Sequence, residues 1–304
     1  MTKSRLYSFY GLTVETDMPL PLALASPQAT PDLVIINATL QTLLKETPAD
    51  RRDWENNGRD FLLRYAGRRG TWTSCTYHHA RRQLIVDSSH TWEECTPIIV
   101  GVVAAALLRT RGQLVLHGSA VAFGHKTAAF LGPSGAGKST IAGALVSSGA
   151  ALVSDDLVVP SIASANVIVH SGHQQLRLLD DSRAGIGIDM AALDLCASDG
   201  KFHVKPDQIG GLPAPVVTDL RGVFMLEPHA ARREDVEIEQ LNERGATIAL
   251  MRSMYAADWM APPDRQALTH FAEIATRTPV YRLACARNFT ALRQAVELVR
   301  AKIV

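Results

Sequence analysis

The hydrophobic pattern divides the chain into two parts. In the first, short alternating or β-branched and aromatic runs sit between turn signals: 5-RLYSFYGLTVET-16, 32-DLVIINATL-40, 60-DFLLRYAG-67, 71-TWTSCTYHH-79 and 82-RQLIVDS-88. A period of two with this composition predicts strands. From Thr91 to Arg111 the apolar positions merge, with 97-PIIVGVVAAALL-108 at their centre, and a helix is expected. That run is too short to span a bilayer and is followed by Arg109 and Arg111, so it reads as a buried helix. A small β-rich N-terminal domain over residues 1–93 follows from this pattern.

Beyond Gly112 strands and helices intermingle. The runs 113-QLVLHGSAVAFG-124 and 127-TAAFL-131, joined by 125-HK-126, predict a hairpin. A glycine-rich stretch comes next, then a helix from about Lys138 to Ser147 that stops at Gly149. The run 150-AALVSDDLVVP-160 reads as one buried strand ending near two aspartates. Further strands are expected at 166–170, 202–206, 221–227 and 279–285. Helices are expected at 188–195, 245–260, 264–277 and 289–302. No internal repeat or low-complexity segment is present.

Composition excludes some classes of function. With 47% hydrophobic and 20% charged residues the chain resembles an ordinary globular protein. A formal net charge of +1 provides no global field to recruit nucleic acid or an anionic membrane, and neither is expected as a partner. Cys75, Cys95, Cys196 and Cys285 are scattered without a CxxC pair, which fits a reducing compartment better than a zinc knuckle or a disulfide framework. The first residues lack a signal-peptide pattern, and a cytoplasmic location is expected.

The strongest chemical signal is 131-LGPSGAGKSTIAGAL-145, which fits G-x-x-x-x-G-K-[ST]. Gly132, Pro133, Ser134, Gly135, Ala136 and Gly137 form the loop. Its glycines let the backbone curl so that several N–H groups face phosphate oxygens, and the following helix adds a partial positive charge. Lys138 reaches β- and γ-phosphates, Ser139 offers a hydroxyl to Mg²⁺, and Thr140 completes the motif. The carboxylates of 153-VSDDL-157 come next, 17 positions after Lys138. A phosphotransferase needs one carboxylate for the metal and one base for the acceptor's proton. Asp155 and Asp156 suit those needs, although two aspartates can also simply cap a turn. His117 lies on the strand before the loop; taken alone, a single histidine there reads as structural. The pair 78-HH-79 has no partner at metal-ligand spacing, 170-HSGH-173 falls in an expected loop, and a structural metal site is not expected from either.

The block from His117 to Val158 resembles the catalytic domain of the HPr kinase/phosphorylase family of bacterial serine kinases. The resemblance rests on His117-Gly118, on Gly132 to Thr140 and on Ser154-Asp155-Asp156, at intervals similar to the family's. It implies an α/β fold (α+β over the whole chain), with an HPr-kinase-like P-loop kinase domain over 94–304. It also implies Asp155 as general base, with His117 and Asp156 supporting it or, with Ser139, the metal. Arg177 lies where the family places an arginine near the transferred phosphoryl group, and Lys205 resembles a basic-Pro step there. The family's Arg-Gly-Leu-Gly stretch is replaced by 183-RAGIGI-188, which puts a reverse phosphorylase reaction in doubt.

The opening 7-YSFYGLTVETDMPLPL-22 is closer to HPr-kinase-like proteins of peptide-modification systems, lasso-peptide tailoring kinases among them. The resemblance therefore implies ATP and Mg²⁺ as cofactors and a peptide or small protein bearing an acceptor serine as partner. The favoured acceptor is the C-terminal serine of a lasso-type precursor. The N-terminal domain would recognise that peptide, and self-association into a homo-oligomer is compatible with the family. Alternatives are a kinase for an HPr-type phosphocarrier, a small-molecule kinase, and a non-catalytic nucleotide-binding module.

Overall fold

The computed structural model describes residues 4–37, 52–66, 72–186, 188, 194–195, 200–227, 236–255, 260 and 264–304. They divide into two compact units. The first is Met1–Gln113 with 258–260, and the second is Leu114–Ala257 with Ala261–Val304. The division falls one long helix later than the expected 93/94 boundary, because the helix after Thr91 belongs with the first unit.

The first unit is a seven-stranded sheet in the order β1-β2-β3-β7-β6-β5-β4. Its strands are β1 (Arg5–Phe9), β2 (Leu12–Thr16), β3 (Leu33–Asn37), β4 (Arg52–Asn56), β5 (Phe61–Ala66), β6 (Trp72–His78) and β7 (Gln83–Ser88). The run 5–16 is a hairpin, turning at Tyr10 (φ 50°) and Gly11 (φ 85°), a left-handed pair suited to a tight two-residue turn. β3 pairs in parallel with both β2 and β7, and the other pairings are antiparallel. The charged strand β4 lacked the alternation that signals a strand and was not anticipated.

The helical rod of this unit comprises α1 (Trp92–Ile98), a π-helical turn (Ile99–Val103) and α2 (Ala104–Thr110). Thr91 starts it with a capping box, its hydroxyl accepting from the Glu94 N–H while Glu94 accepts from the Thr91 N–H. Residues Ile99 to Leu108 are all buried, so the continuous apolar run is an interior helix.

The second unit is a nine-stranded mixed sheet. Its strands and helices are, in order, β8 (Leu116–Phe123), β9 (Lys126–Leu131), α3 (Lys138–Ser147), β10 (Ala151–Ser154), β11 (Leu157–Val158), β12 (Pro160–Ala163) and β13 (Asn166–His170). A small side sheet follows, made of β14 (Leu176–Leu178), β15 (Asp194–Leu195) and β16 (Phe202–Val204), with α4 (Asp180–Ile186) between its first two strands. The chain ends with β17 (Val217–Glu227), β18 (Val236–Gln240), α5 (Glu243–Arg252), α6 (Arg265–Arg277), β19 (Val280–Cys285) and α7 (Phe289–Ile303).

β9, β17 and β19 run parallel with β17 in the middle, so their C-terminal ends share one edge of the sheet. One face packs with α3 and α7 through Phe130, Ile141, Leu145, Phe224, Leu283 and Val299. The other packs with α5 and α6 through Leu131, Val223, Leu250, Phe271 and Ile274. The result is the expected α/β architecture, a sheet with helices on both faces.

Three expectations need correction. The run 150–160 is not one strand: β10 and β11 both pair with β8, and Asp155-Asp156 interrupt them. The helix expected over 245–260 ends at Arg252. Beyond it Leu116 bridges Met254, and the Tyr255 N–H donates to the Val115 carbonyl, so the chain returns to β8 instead of continuing as helix. Within 188–195, Asp194 and Leu195 form strand β15 against β16; the rest of that expected helix, except Ile188, lies outside the described residues, as do Cys196, Trp259 and 262-PP-263.

Candidate active site

The glycine loop lies between the parallel-sheet edge and α3, where a doubly wound sheet presents its ligand. Its curl is specific to glycine. Gly132 has φ 147°, and a Cβ there would stand 2.7 Å from the Leu226 carbonyl oxygen. Gly137 caps α3 in the left-handed region (φ 98°). Lys138, the first residue of α3, is nearly buried and donates to the carbonyls of Gly132 and Pro133 at 3.0 Å each. Burial lowers its pKa, while the charges of Asp155 and Asp156 oppose that shift.

The two aspartates reach the loop because β10 breaks. Its register against β8 slips between Leu152 and Ser154, and Asp156 adopts φ 75°, a left-handed value rare for a residue with a side chain. Adjacent residues of a regular strand face opposite sides; here the irregular backbone gives the two carboxylates separate places in one site. Asp155 is 2% exposed. It accepts from the Ser139 hydroxyl (3.0 and 3.2 Å to its two oxygens), the Ser119 hydroxyl (2.6 Å) and the Arg177 backbone N–H (3.2 Å). The Asp156 side chain is 13% exposed, with the Arg177 guanidinium at 3.0 Å and His117 Nδ1 at 3.6 Å from its Oδ1.

His117 stands opposite Leu157 on β8, beside the break. Its backbone N–H donates to the Ser253 carbonyl, and its ring lies 5.5 Å from that of Tyr255. Burial first, and then the Lys138 charge, holds its pKa below the ordinary histidine value. That shift favours the neutral imidazole, against the pull of the Asp156 and Asp155 charges. Gly118 is demanded by packing: a Cβ there would lie 2.4 Å from Leu131 Cδ2 and 2.6 Å from the Phe130 carbonyl oxygen. His173 is buried, its carbonyl accepting from the Asp155 N–H at 2.9 Å, and its pKa is also lowered, chiefly by desolvation and then by Arg177.

The structure thus brings together Gly132 to Ser139, His117, Asp155, Asp156 and Arg177. Thr140 turns away, its hydroxyl donating to Ser182 of α4 at 2.9 Å. Lys205 is exposed at the start of a 3-10 turn (Pro206–Ile209), and no hydrogen bond or ion pair among the described residues joins its side chain to the loop. Lys201 is the lysine whose charge acts on Lys138.

Sequence reasoning missed Ser119 and Arg287, and weighed His173 only as a metal ligand. Ser119 and His173 carry no motif. Arg287 follows β19, 152 positions from its partner, and its guanidinium donates to the Gly135 carbonyl at 3.4 Å. Only the fold brings it to the loop.

The donor set suits a magnesium ion bound with a nucleotide. Asp155 and Ser139 offer hard oxygen atoms, and Mg²⁺ commonly takes one or two protein oxygens and completes its shell with phosphate and water. Among the described residues no group of three or more His, Cys, Asp or Glu forms an independent metal site.

No protein-family model and no curated protein matches the chain. Among solved structures, the HPr(Ser) kinase/phosphatase from Coxiella burnetii is similar at 13% identity and a TM-score of 0.32, over 62% of this chain and 94% of that one. A likeness of that size carries no argument, and the functional reading rests on the site. No helix among the described residues is long and apolar enough to cross a membrane.

Proposed function

We propose that the chain is an ATP-dependent phosphotransferase that moves the γ-phosphoryl group to a serine hydroxyl of a peptide. The observation carrying this reading is the division of labour between neighbouring carboxylates: Asp155 is bonded to the loop's own Ser139, and Asp156 stands beside His117 and Arg177. Nucleotide binding alone needs no base, and a second carboxylate beside a histidine and an arginine can supply one. Loop amides and Lys138 hold the phosphates. When bound, Mg²⁺ neutralises phosphate charge next to Asp155 and Ser139.

Asp156 takes the proton of the serine hydroxyl as the new O–P bond forms and the bond to the ADP oxygen breaks. Neutral His117 orients that hydroxyl, and Arg177 offsets charge on the phosphoryl oxygens. These roles for the aspartates reverse those implied by the family resemblance, because the buried, serine-bonded carboxylate is the one suited to the metal. The similarity of residues 7–22 to proteins of peptide-modification systems supports a peptide acceptor. Its narrowest form is the C-terminal serine of a lasso-type precursor.

Mass spectrometry after incubation with ATP, Mg²⁺ and serine peptides tests the reaction, with Lys138→Ala as control. Asp156→Asn is expected to lower kcat roughly 10²–10⁴-fold, the contribution of a positioned base, with ATP affinity nearly unchanged. Asp155→Asn is expected to weaken magnesium-dependent nucleotide binding as well. Full turnover in Asp156→Asn overturns the assignment of the base.

A further inference from the structure

Beside the loop the second unit holds a cleft of about 600 Å³, within the size range of small-ligand pockets. Its floor is apolar: Met225 and Leu226 of β17, Leu241, Ala249 of α5, and Met254. One wall is the start of the glycine loop, Gly132 to Ser134, and another is His117. None of these residues except the loop and His117 has a part in the chemistry derived above.

The position of the cleft tells which reactant it receives. It adjoins His117, whose imidazole lies 3.6 Å from Asp156, so it opens onto the carboxylate end of the loop. The phosphoryl group to be transferred belongs at that end, where the base stands. The opposite end of the motif, at Thr140, faces Ser182 of α4 and touches no part of the cleft. A nucleotide laid along the loop with its γ-phosphate toward Asp156 directs its base away from the cleft.

The charges at the mouth are also selective. Arg282 is bonded to Glu239 at 2.6 Å and lies 3.8 Å from Glu227, so those three groups largely answer one another. Arg252, exposed at the end of α5, has no acidic partner among the described residues.

We infer that this cleft is the acceptor subsite: it receives an apolar side chain next to the acceptor serine, and Arg252 pairs with an acidic group of the same peptide. This rests on the phosphotransferase reading and specifies its substrate class. An apolar side chain seated on Met225, Leu241 and Met254 brings the neighbouring hydroxyl toward His117 and Asp156. Burial of that side chain provides affinity, and the cation at the rim sets orientation.

The test uses the full chain and a peptide pool with one fixed serine and randomised flanks, scored for ATP-dependent phosphate incorporation, with ATP affinity measured separately. The wild type is expected to enrich leucine, methionine or phenylalanine at one position beside the serine, and aspartate or glutamate nearby. Ala249→Trp fills the cleft from a half-exposed helix position and should lower kcat/KM for enriched peptides roughly 10–200-fold, the range for altered apolar pocket fit, with ATP affinity unchanged. Arg252→Glu should shift the acidic preference to a basic one, with a loss of about tenfold on acidic peptides. A flat flank preference with full activity in Ala249→Trp overturns the subsite while leaving the phosphotransferase reading intact. Parallel loss of ATP binding in that variant reassigns the cleft to the nucleotide and overturns it too. A wild type that binds ATP but modifies no peptide defeats the peptide-kinase reading itself, and this inference with it.

Discussion

Both units are built on a mixed sheet with a polar cluster beside it, yet the clusters differ in kind. In the first unit Thr73 Oγ1 lies 2.7 Å from the Ser88 hydroxyl, 2.9 Å from His90 Nδ1 and 3.7 Å from Cys95 Sγ. Those hydrogen bonds close on one another, and burial pushes the Cys95 thiol pKa up, away from reactivity. The strands beneath are regular, with no register slip between β6 and β7. In the second unit the ladder of β8 is broken at Asp155-Asp156, and the polar groups there face a loop and a cleft. A closed hydrogen-bond cluster ties a fold together, whereas one set at a break in a sheet is left able to act on something else.

Three measurements sharpen that contrast. The largest effect is expected from Gly118→Ala, whose Cβ meets the Phe130 backbone and Leu131. Overpacking should cost roughly 1–3 kcal/mol and lower activity as well, since β8 carries His117. Chemical denaturation and turnover read the two losses together; stability loss with full activity would mean His117 does not depend on the strand's packing. Thr73→Val, which leaves the Ser88 and His90 partners in place, should cost about 1 kcal/mol and leave turnover unchanged. A fall in kcat there would erase the distinction between the clusters.

The smallest effect at neutral pH concerns His173. Its folded pKa lies below the ordinary 6.5, so the unfolded chain binds the proton more readily. Its stabilising contribution is full above about pH 6.5 and is lost as pH falls toward the lowered folded value. The denaturation midpoint of the wild type should drop more steeply over that window than that of His173→Gln. Identical slopes would show that the histidine is not held neutral by the fold.

Much of this was legible in the sequence because it depends on local pattern. The P-loop needs glycines at set positions and a strand and helix on either side, and all lie within 126–147. The strands at 61–66, 72–78 and 83–88 follow alternation. The break in 150–160 was not legible, since its apolar run reads as a strand; the interruption comes from pairing with β8 and from the left-handed Asp156. The end of α5 was hidden for a similar reason: Met254 and Tyr255 prolong the apolar pattern while 253–255 switch to bonding β8. Lys205 resembled a family position but faces solvent, and Lys201, with no motif, lies nearer in effect. Long-range closure decides such cases, and no window of sequence contains it.

The left-handed backbone at Asp156 also sets fold and chemistry at odds. A side chain held at φ 75° costs of order 1–3 kcal/mol, which glycine would not incur. Asp156→Gly would relieve that strain but remove the carboxylate that stands 3.0 Å from the Arg177 guanidinium, so its melting temperature reads the balance of the two. The carboxylate that strains the chain is thus also the one that anchors a cation there, so the bend and the charge pair stand or fall together.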